Sequence, residues 1–469
     1  MKRLIIPSVL ILPLIGCGGG GGSSSNGEVV GIGGTGSPAQ ATGSITGFGS
    51  IFVNGVEFET DSSSITIDDN PGSESDLKLG MVVTVSGEID GTGNTGTATT
   101  VVFDNEVQGP VSSIGAVLTN GKREIIVLNT TVILDPVSTV FDDTSFDTIA
   151  VDDLVEVSGF RNSANQLVAS RIERKSAFQT DISEVEIKGQ INSLDTVAMS
   201  FVVGTYTVDY STASEVEEPL SNGLGVEVKG TLNGTTITAT RVQQEDDIFG
   251  DEIDKVSIEG FITNLSGTTF SILGQEVDAS SATFSPASLV LANDLKVEVE
   301  GPIEGGVLRA RSVEARDSEL EINATVSAIN GQTVTLSLFN GTVDFTVDNS
   351  TRMDDKTGVE DIFTVDEITP SDFLEVRLID NGSSYIATEV RRDDLDDDEV
   401  QGPVDSFVSG SSITLFGITY SVDGSTQFKD ANESAISSTN FFSTLQEGSI
   451  IKLQDELTTD GTADEVEFE

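Results

Sequence analysis

Six times along its 469 residues this chain returns to one short signature, Ala-x-x-Val or Ala-x-x-Ile: Ala98–Val101, Ala169–Ile172, Ala239–Val242, Ala310–Val313, Ala387–Val390 and Ala463–Val466. A chain that repeats at this interval does not fold around one core. At roughly 65 to 80 residues each copy is long enough for a small core of its own, whereas the shorter units of a solenoid need their neighbours. Ahead of each signature lies a strand-like segment. Four read Val83-Thr84-Val85-Ser86-Gly87, Val155-Glu156-Val157-Ser158-Gly159, Val226-Glu227-Val228-Lys229-Gly230 and Val297-Glu298-Val299-Glu300-Gly301; the last two diverge to Leu374-Glu375-Val376-Arg377 and Ile451-Lys452-Leu453-Gln454. Five copies open on Gly-x-hydrophobic, at Gly43, Gly109, Gly189, Gly260 and Gly402, and the fifth in order has Ala324 there instead.

Alternation such as Val-Glu-Val-Lys sends apolar side chains to one face of a strand and charged ones to the other, the pattern of a strand with one wet side. Candidate hairpin turns stand at Asn54-Gly55, Asn340-Gly341, Gly204, Gly274 and Gly417, and Asn-Gly is a strong hairpin signal because both residues tolerate positive φ. With 48 Gly, four Met and no convincing long helical period, the chain is expected to be all-β. One copy offers about five strands, which suggests a small barrel of the OB type, with a small β-sandwich as the alternative. The expected copies are residues 41–105, 106–183, 184–254, 255–318, 319–397 and 398–469. Read as beads on short acidic links, six of them in line reach roughly 170 Å with a radius of gyration of about 50 Å, against roughly 22 Å for one compact globule.

The Gly-x-Ile opening, the Val-Glu-Val-x-Gly strand and the Ala-x-x-Val close resemble the tandem bacterial lipoprotein domains grouped as domain-of-unknown-function family 5666. The resemblance covers all six copies and implies no activity, because that family has none assigned.

The amino terminus carries a different signal. Met1-Lys2-Arg3 precedes a short apolar stretch, Leu4 to Ile15, interrupted by Pro7 and Pro13. That length and those prolines suit an export signal better than a membrane-spanning helix. It ends in Leu14-Ile15-Gly16-Cys17, which resembles the lipobox of bacterial lipoproteins. The resemblance implies cleavage after Gly16, a diacylglycerol thioether on Cys17 and acylation of the new amino terminus. Several acyl chains, each contributing about 0.8 kcal/mol per buried methylene, anchor firmly where one chain holds only marginally. Gly18 to Gly22 and Ser23-Ser24-Ser25 then form a flexible tether over residues 17–40. In lipoproteins of enteric bacteria a residue other than Asp after the lipidated cysteine implies the outer membrane, and Gly18 fits.

Composition removes much chemistry. The chain has no histidine, and its one cysteine is Cys17, so His-containing triads, thiol nucleophiles and imidazole or thiolate metal sites lack their residues. The formal charge of -53 opposes phosphate, so nucleic acid is not an expected partner even for an OB-type fold. No Trp and only four Tyr argue against sugar stacking, and Phe48, Phe52, Phe261 and Phe270 read as core. Acidic clusters occur at Asp68-Asp69, Glu245-Asp246-Asp247 and Asp251-Glu252. The densest one, Asp393, Asp394, Asp396, Asp397, Asp398 and Glu399, is the candidate calcium site, although no segment matches an EF-hand loop. The expectation is therefore a non-catalytic, membrane-anchored envelope protein, a spacer or binding array. A calcium-stiffened adhesin and a carboxylate-based enzyme are the alternatives. Changing Cys17→Ala should abolish labelling by a fatty-acid probe and release the protein from the membrane fraction; labelling that survives the change removes the anchor.

Overall fold

The Gly-opened segments of the sequence become long, bent first strands, and each bend lets one strand serve two neighbours. The computed structural model describes residues 37–469 apart from 91–92, 119–120, 246–248, 250–251, 318–319, 340, 360–361, 432–433 and 457–459. Gly16, Cys17, the tether up to residue 36, Asn340 and the acidic residues Asp246, Asp247 and Asp251 lie outside the described residues, and residues 37–40, read as the end of the tether, belong to the first strand.

In copy 1 the first strand, Ser37–Gly47, pairs antiparallel with Val82–Ile89 along its first half and with Ile51–Val53 along its second. Ile51–Val53 turns back into Val56–Glu59, which runs parallel to the fifth strand, Thr95–Phe103. That strand returns antiparallel to Val82–Ile89. The order one-two-three-five-four-one closes on itself, the topology of a five-stranded OB-type barrel rather than a sandwich. Copies 2 to 5 repeat it, in each case with a parallel pair between strands three and five. In copy 6 that parallel closure is a single bridge, Ser421 to Thr462. Among the described residues no helix is long and apolar enough to cross a membrane.

The repeated glycines have steric causes. A Cβ on Gly43 would sit 1.9 Å from Asn54 Oδ1, because the first strand passes directly under the Asn54-Gly55 turn, whose φ values are 52° and 75°. A Cβ on Gly87 would meet Thr97 O at 2.1 Å, and Gly87 pairs with Ala98 where the ladder slips by one residue. Gly159 and Gly230 stand at the same slip opposite Ala169 and Ala239. The Val-x-Val-x-Gly strand and the Ala-x-x-Val close are thus two halves of one bulge, in which only small residues let the fourth and fifth strands approach. Apolar alternation fills the barrels: Ile45, Phe58, Val85, Val101 and Phe103 form the core of copy 1. Phe270 and Phe261 are buried, as read from the sequence, while Phe48 and Phe52 are half-buried.

Two expectations fail. The copies are not separate beads. The first half of each first strand has a free edge, and another copy takes it: Gln40 to Thr42 pair parallel with Val256 to Ile258 of copy 4, Val107 and Gln108 pair with Ile187 and Glu186 of copy 3, and Glu321 to Asn323 pair with Gln401 to Glu399 of copy 6. Copies 2 and 3 share one apolar core, as do copies 5 and 6, and the described residues form one compact unit. Nor is the charged side of the alternation wet. Glu156, Glu186, Glu227, Lys229, Glu259 and Glu298 are all buried, because a neighbouring copy covers that face. Solution scattering should therefore give a radius of gyration well below the 50 Å of a bead string and closer to the roughly 22 Å of a compact body. A value near the bead-string figure would separate the copies again.

Candidate ligand cavity between four copies

Copy 2 touches copies 1, 4 and 5, and the charged side chains along these contacts enclose a cavity of about 290 Å³. Leu118, Ile133, Phe160 and Val168 of copy 2 and Phe261 of copy 4 supply apolar surface; Lys122, Lys296, Arg316, Arg352 and Arg377, with Glu259, Asp294, Asp317 and Glu389, supply charge. Five of the chain's 24 basic residues converge here.

Each charge is held by its fold position. Glu259, on strand Glu252–Phe261, accepts the Ser44 N–H at 2.8 Å and its hydroxyl at 2.9 Å from copy 1, and pairs with Lys296 at 2.6 Å. Burial pushes the Glu259 carboxyl up, but Lys296 and Ser44 outweigh it and leave it below the ordinary range. The Lys296 ammonium also lies 5.0 Å from the centre of the Phe160 ring of copy 2. Arg377 of copy 5 donates to both carboxylate oxygens of Asp135 of copy 2, at 3.2 Å each, and Lys122 reaches Asp135 at 3.3 Å. Burial alone would raise the Asp135 carboxyl; Arg377, Lys122 and the N–H groups of Val137 and Ser138 instead hold it far below the carboxylate range. Arg316 pairs with Glu298, whose carboxyl burial raises to about 7 despite Arg316.

Arg352 is the exception to this pairing. Its Nη2 donates to Glu389 and, at 3.1 Å, to Val137 O of copy 2. Its Nη1 is buried with no hydrogen-bond partner among the described residues. Burial, together with the nearby Arg391 and Arg377, lowers the Arg352 guanidinium to about 10. The guanidinium is thus paired with Glu389 through one nitrogen, while the other is shut off from solvent.

Sequence reasoning missed this cavity because its residues lie in four copies. One signal was present. The third strand of copy 2 ends in Asp135-Pro136-Val137-Ser138-Thr139, where Asp135 caps the N–H of Val137 and Ser138 and Thr139 donates to Ala169 O at 2.9 Å. Copies 5 and 6 repeat the device with Asp348 and Thr351 on Ala387 and with Asp423 and Thr426 on Ala463. A recurring Asp-to-Thr turn three or four residues long is readable as an Asx-type turn.

The acidic run proposed for calcium is spread over different partners. Asp393 ends strand Tyr385–Asp393 and accepts the Asp394 N–H at 2.7 Å. Asp396 accepts the Asp397 N–H, Asp397 takes the Gln454 amide at 2.8 Å, and Glu399 pairs with Lys452 at 3.1 Å. Asp398 stands opposite Asp455 in the ladder, and burial and then Asp455 raise it to about 6. Burial raises Glu399 to about 7. Among the described residues, the acidic groups whose carboxylate oxygens come within reach of one ion do not include these six.

The model of a protein family described as Domain of unknown function (DUF5666) matches this chain six times, at residues 42–102, 108–173, 188–243, 259–314, 323–391 and 401–467. The chain belongs to this family. Each match falls on one barrel, so a DUF5666 domain is one closed five-stranded unit. No curated protein matches the chain. A solved structure titled drosophila Unr CSD456 is 13% identical and covers 44% of this chain and 97% of its own, at a TM-score of 0.12, too loose to bear on the DUF5666 barrel.

Carboxyls raised in the folded state take up protons on folding. Glu298 and Glu399, each raised to about 7 from an ordinary 4.5, therefore stabilise less as pH climbs from 4.5 through 7. Glu259 and Asp135 are shifted the other way and lose their contribution only as pH falls below the ordinary carboxylate range. The melting temperature in buffer free of divalent cations should accordingly be higher at pH 6 than at pH 8, with a smaller difference in Glu399→Gln. A melting temperature that rises from pH 6 to pH 8 would contradict the burial assigned to these groups.

Proposed function

We propose that the protein is a non-catalytic envelope lipoprotein, held at the outer membrane through Cys17, whose six copies build a single body that binds a small anionic molecule with an apolar part. The observation that carries the reading is the gathering of Lys122, Lys296, Arg316, Arg352 and Arg377 around a cavity walled by Phe160, Phe261, Ile133 and Val168. A volume of about 290 Å³ is at the lower end of small-molecule sites, which run from roughly 300 Å³ upward and combine apolar walls with a few placed polar groups. A carboxylate matches a guanidinium in charge and planarity, and a sulfonate matches it in charge. The apolar wall matches the rest of such a ligand. The repeats contain no histidine or cysteine, which leaves them without the commonest general base and the thiol nucleophile, and binding without turnover is the economical reading. The Gly/Ser tether would let the body stand off the membrane.

Anilinonaphthalene sulfonate, an aromatic body with one sulfonate, is a suitable probe because its fluorescence rises on entering an apolar site. Leu118 lines the cavity and is 40% exposed, so a charge placed there should be tolerated by the fold. Saturable binding is expected for the unchanged protein, weakened about threefold or more by Leu118→Asp and not by Leu118→Lys. Absence of saturable binding, or equal affinity in the two variants, would sink the proposal.

A further inference from the structure

A second polar site lies away from this cavity, where copy 1, the link to copy 2, and copy 3 meet. Asp68 and Asp69 form the turn between strands Ser64–Ile67 and Asn70–Gly72, with φ of 45° and 67°. Asp104 and Asn105 form the link after strand Thr95–Phe103, and Glu186 comes from the first strand of copy 3, Glu184–Gln190. One carboxylate oxygen each from Asp68, Asp104 and Glu186 lie within 4.8 Å of one another, and Asp69, Asp104 and Glu227 form a second such group.

Lysine and arginine already serve part of this cluster. Lys229 Nζ lies 2.7 Å from Asp69, 3.3 Å from Glu227 and 3.4 Å from Glu186 Oε2. Arg241 takes Asp69 at 2.9 Å, and Lys188 takes Asp104 Oδ2 at 2.7 Å. Acceptors of the cluster still go unserved. Asn105 is 1% exposed; its amide nitrogen donates to Asp68 Oδ1 at 3.0 Å and Glu186 Oε2 at 3.1 Å, while its Oδ1 has no donor among the described residues. Glu186 is 3% exposed and its Oε1 has no partner among the described residues, whereas Asp104 is hydrogen-bonded to Glu227. Buried oxygens left unserved beside closely grouped carboxylates call for a cation.

We propose that Asp68, Asp104 and Glu186, beside the buried Asn105 amide, form a calcium site that fastens copy 1 to copy 3. The donors are all oxygen, which selects a hard cation over zinc. Two oxygens on opposite sides of a calcium ion stand roughly 4.8 Å apart at the usual distance of about 2.4 Å, and the carboxylates fit within that span. Magnesium demands a tighter octahedron and keeps its waters, which suits this crowded set less well. Burial, and then the neighbouring carboxylates, push Glu186 to about 9 and Glu227 to about 7, consistent with a cluster that lacks positive charge.

The test uses the purified full-length protein, stripped with a chelator and titrated with calcium chloride in a calorimeter. One saturable site and a raised melting temperature are expected. Glu186→Gln and Asp104→Asn should each weaken binding by more than about tenfold. Without calcium, Glu186→Gln should melt no lower than the unchanged protein, because a carboxyl raised to about 9 is already uncharged at neutral pH; a merely structural ion pair would give the opposite result. Asp394→Asn, on an exposed residue of the other acidic run, should bind as the unchanged protein does. If the stripped protein takes up no calcium saturably, or if Glu186→Gln binds it equally well, the site does not exist. Should the variants fold poorly, crystals of the unchanged protein grown with calcium decide: density among Asp68, Asp104 and Glu186 supports the site, and calcium bound only elsewhere overturns it.

Discussion

The half-free edge of the first strand is the constraint on which the rest of this structure depends. A five-stranded barrel of this topology uses the second half of strand one for the hairpin and one side of the first half for strand four. The other side of the first half keeps unpaired N–H and C=O groups. An exposed edge of this kind is a template for aggregation, which natural sheets blunt with charges, bulges or cover. This chain uses cover. Every described first strand meets another first strand of the same chain, so copies 1 and 4, 2 and 3, and 5 and 6 become pairs.

Pairing by edges has an electrostatic consequence. First strand meets first strand with the fourth strands alongside, and the outward residues of both are the Glu and Lys positions of the alternating pattern. Bringing two copies together removes these side chains from water, and a buried charge is tolerable only if it is matched and hydrogen-bonded. A chain with 77 acidic and 24 basic residues cannot match them all. Its cations are accordingly placed in the seams: Lys188 and Lys229 between copies 1 and 3, Lys296 and Arg316 beside copies 1 and 4, and Arg352, Arg377 and Arg391 between copies 2 and 5. Where matching runs short, carboxyls are raised, as at Glu186 and Glu298, or an acceptor is left over, as at Asn105. Both sites of interest are such places.

Much of the single barrel was legible in the sequence, because it is written in local terms. The Asn54-Gly55 turn, the bulge of Gly87 against Ala98 and the apolar alternation all act within one copy. The turn of copy 2 was hidden by a bulky residue: Leu128-Asn129 takes the same positive φ values as the Phe416-Gly417 turn that Gly417 signalled, and Leu128 and Phe416 pack over Gly109 and Gly402 of their own first strands. What the pattern misjudged was the outward face. Val-Glu-Val-Lys specifies which side is apolar but is silent on whether water or another barrel lies on the charged side. Cavity and acidic junction both follow from that second fact, so their residues carry no common motif and lie far apart in the chain, by 242 positions between Asp135 and Arg377.

Edge pairing also poses a problem of choice, since six similar edges compete for one another. Backbone groups offer little discrimination: the same edge pairs parallel in copies 1 and 4 and antiparallel in the other two pairs. Discrimination must come from side chains beside the ladder, and these differ from pair to pair. Copies 1 and 4 are joined by Ser44 on Glu259 and Asn54 on Ser257, copies 2 and 3 by Gln108 on the Glu184 carbonyl, and copies 5 and 6 by Asn323 on Glu399. A wrong pairing would leave the buried Glu259 without Ser44 and Glu399 without Asn323. The cost of that error exceeds anything the backbone ladder gains by being indifferent. The acidic character of the chain thus has a structural role beyond solubility: buried carboxylates, each with a partner in only one other copy, sort near-identical barrels into one arrangement.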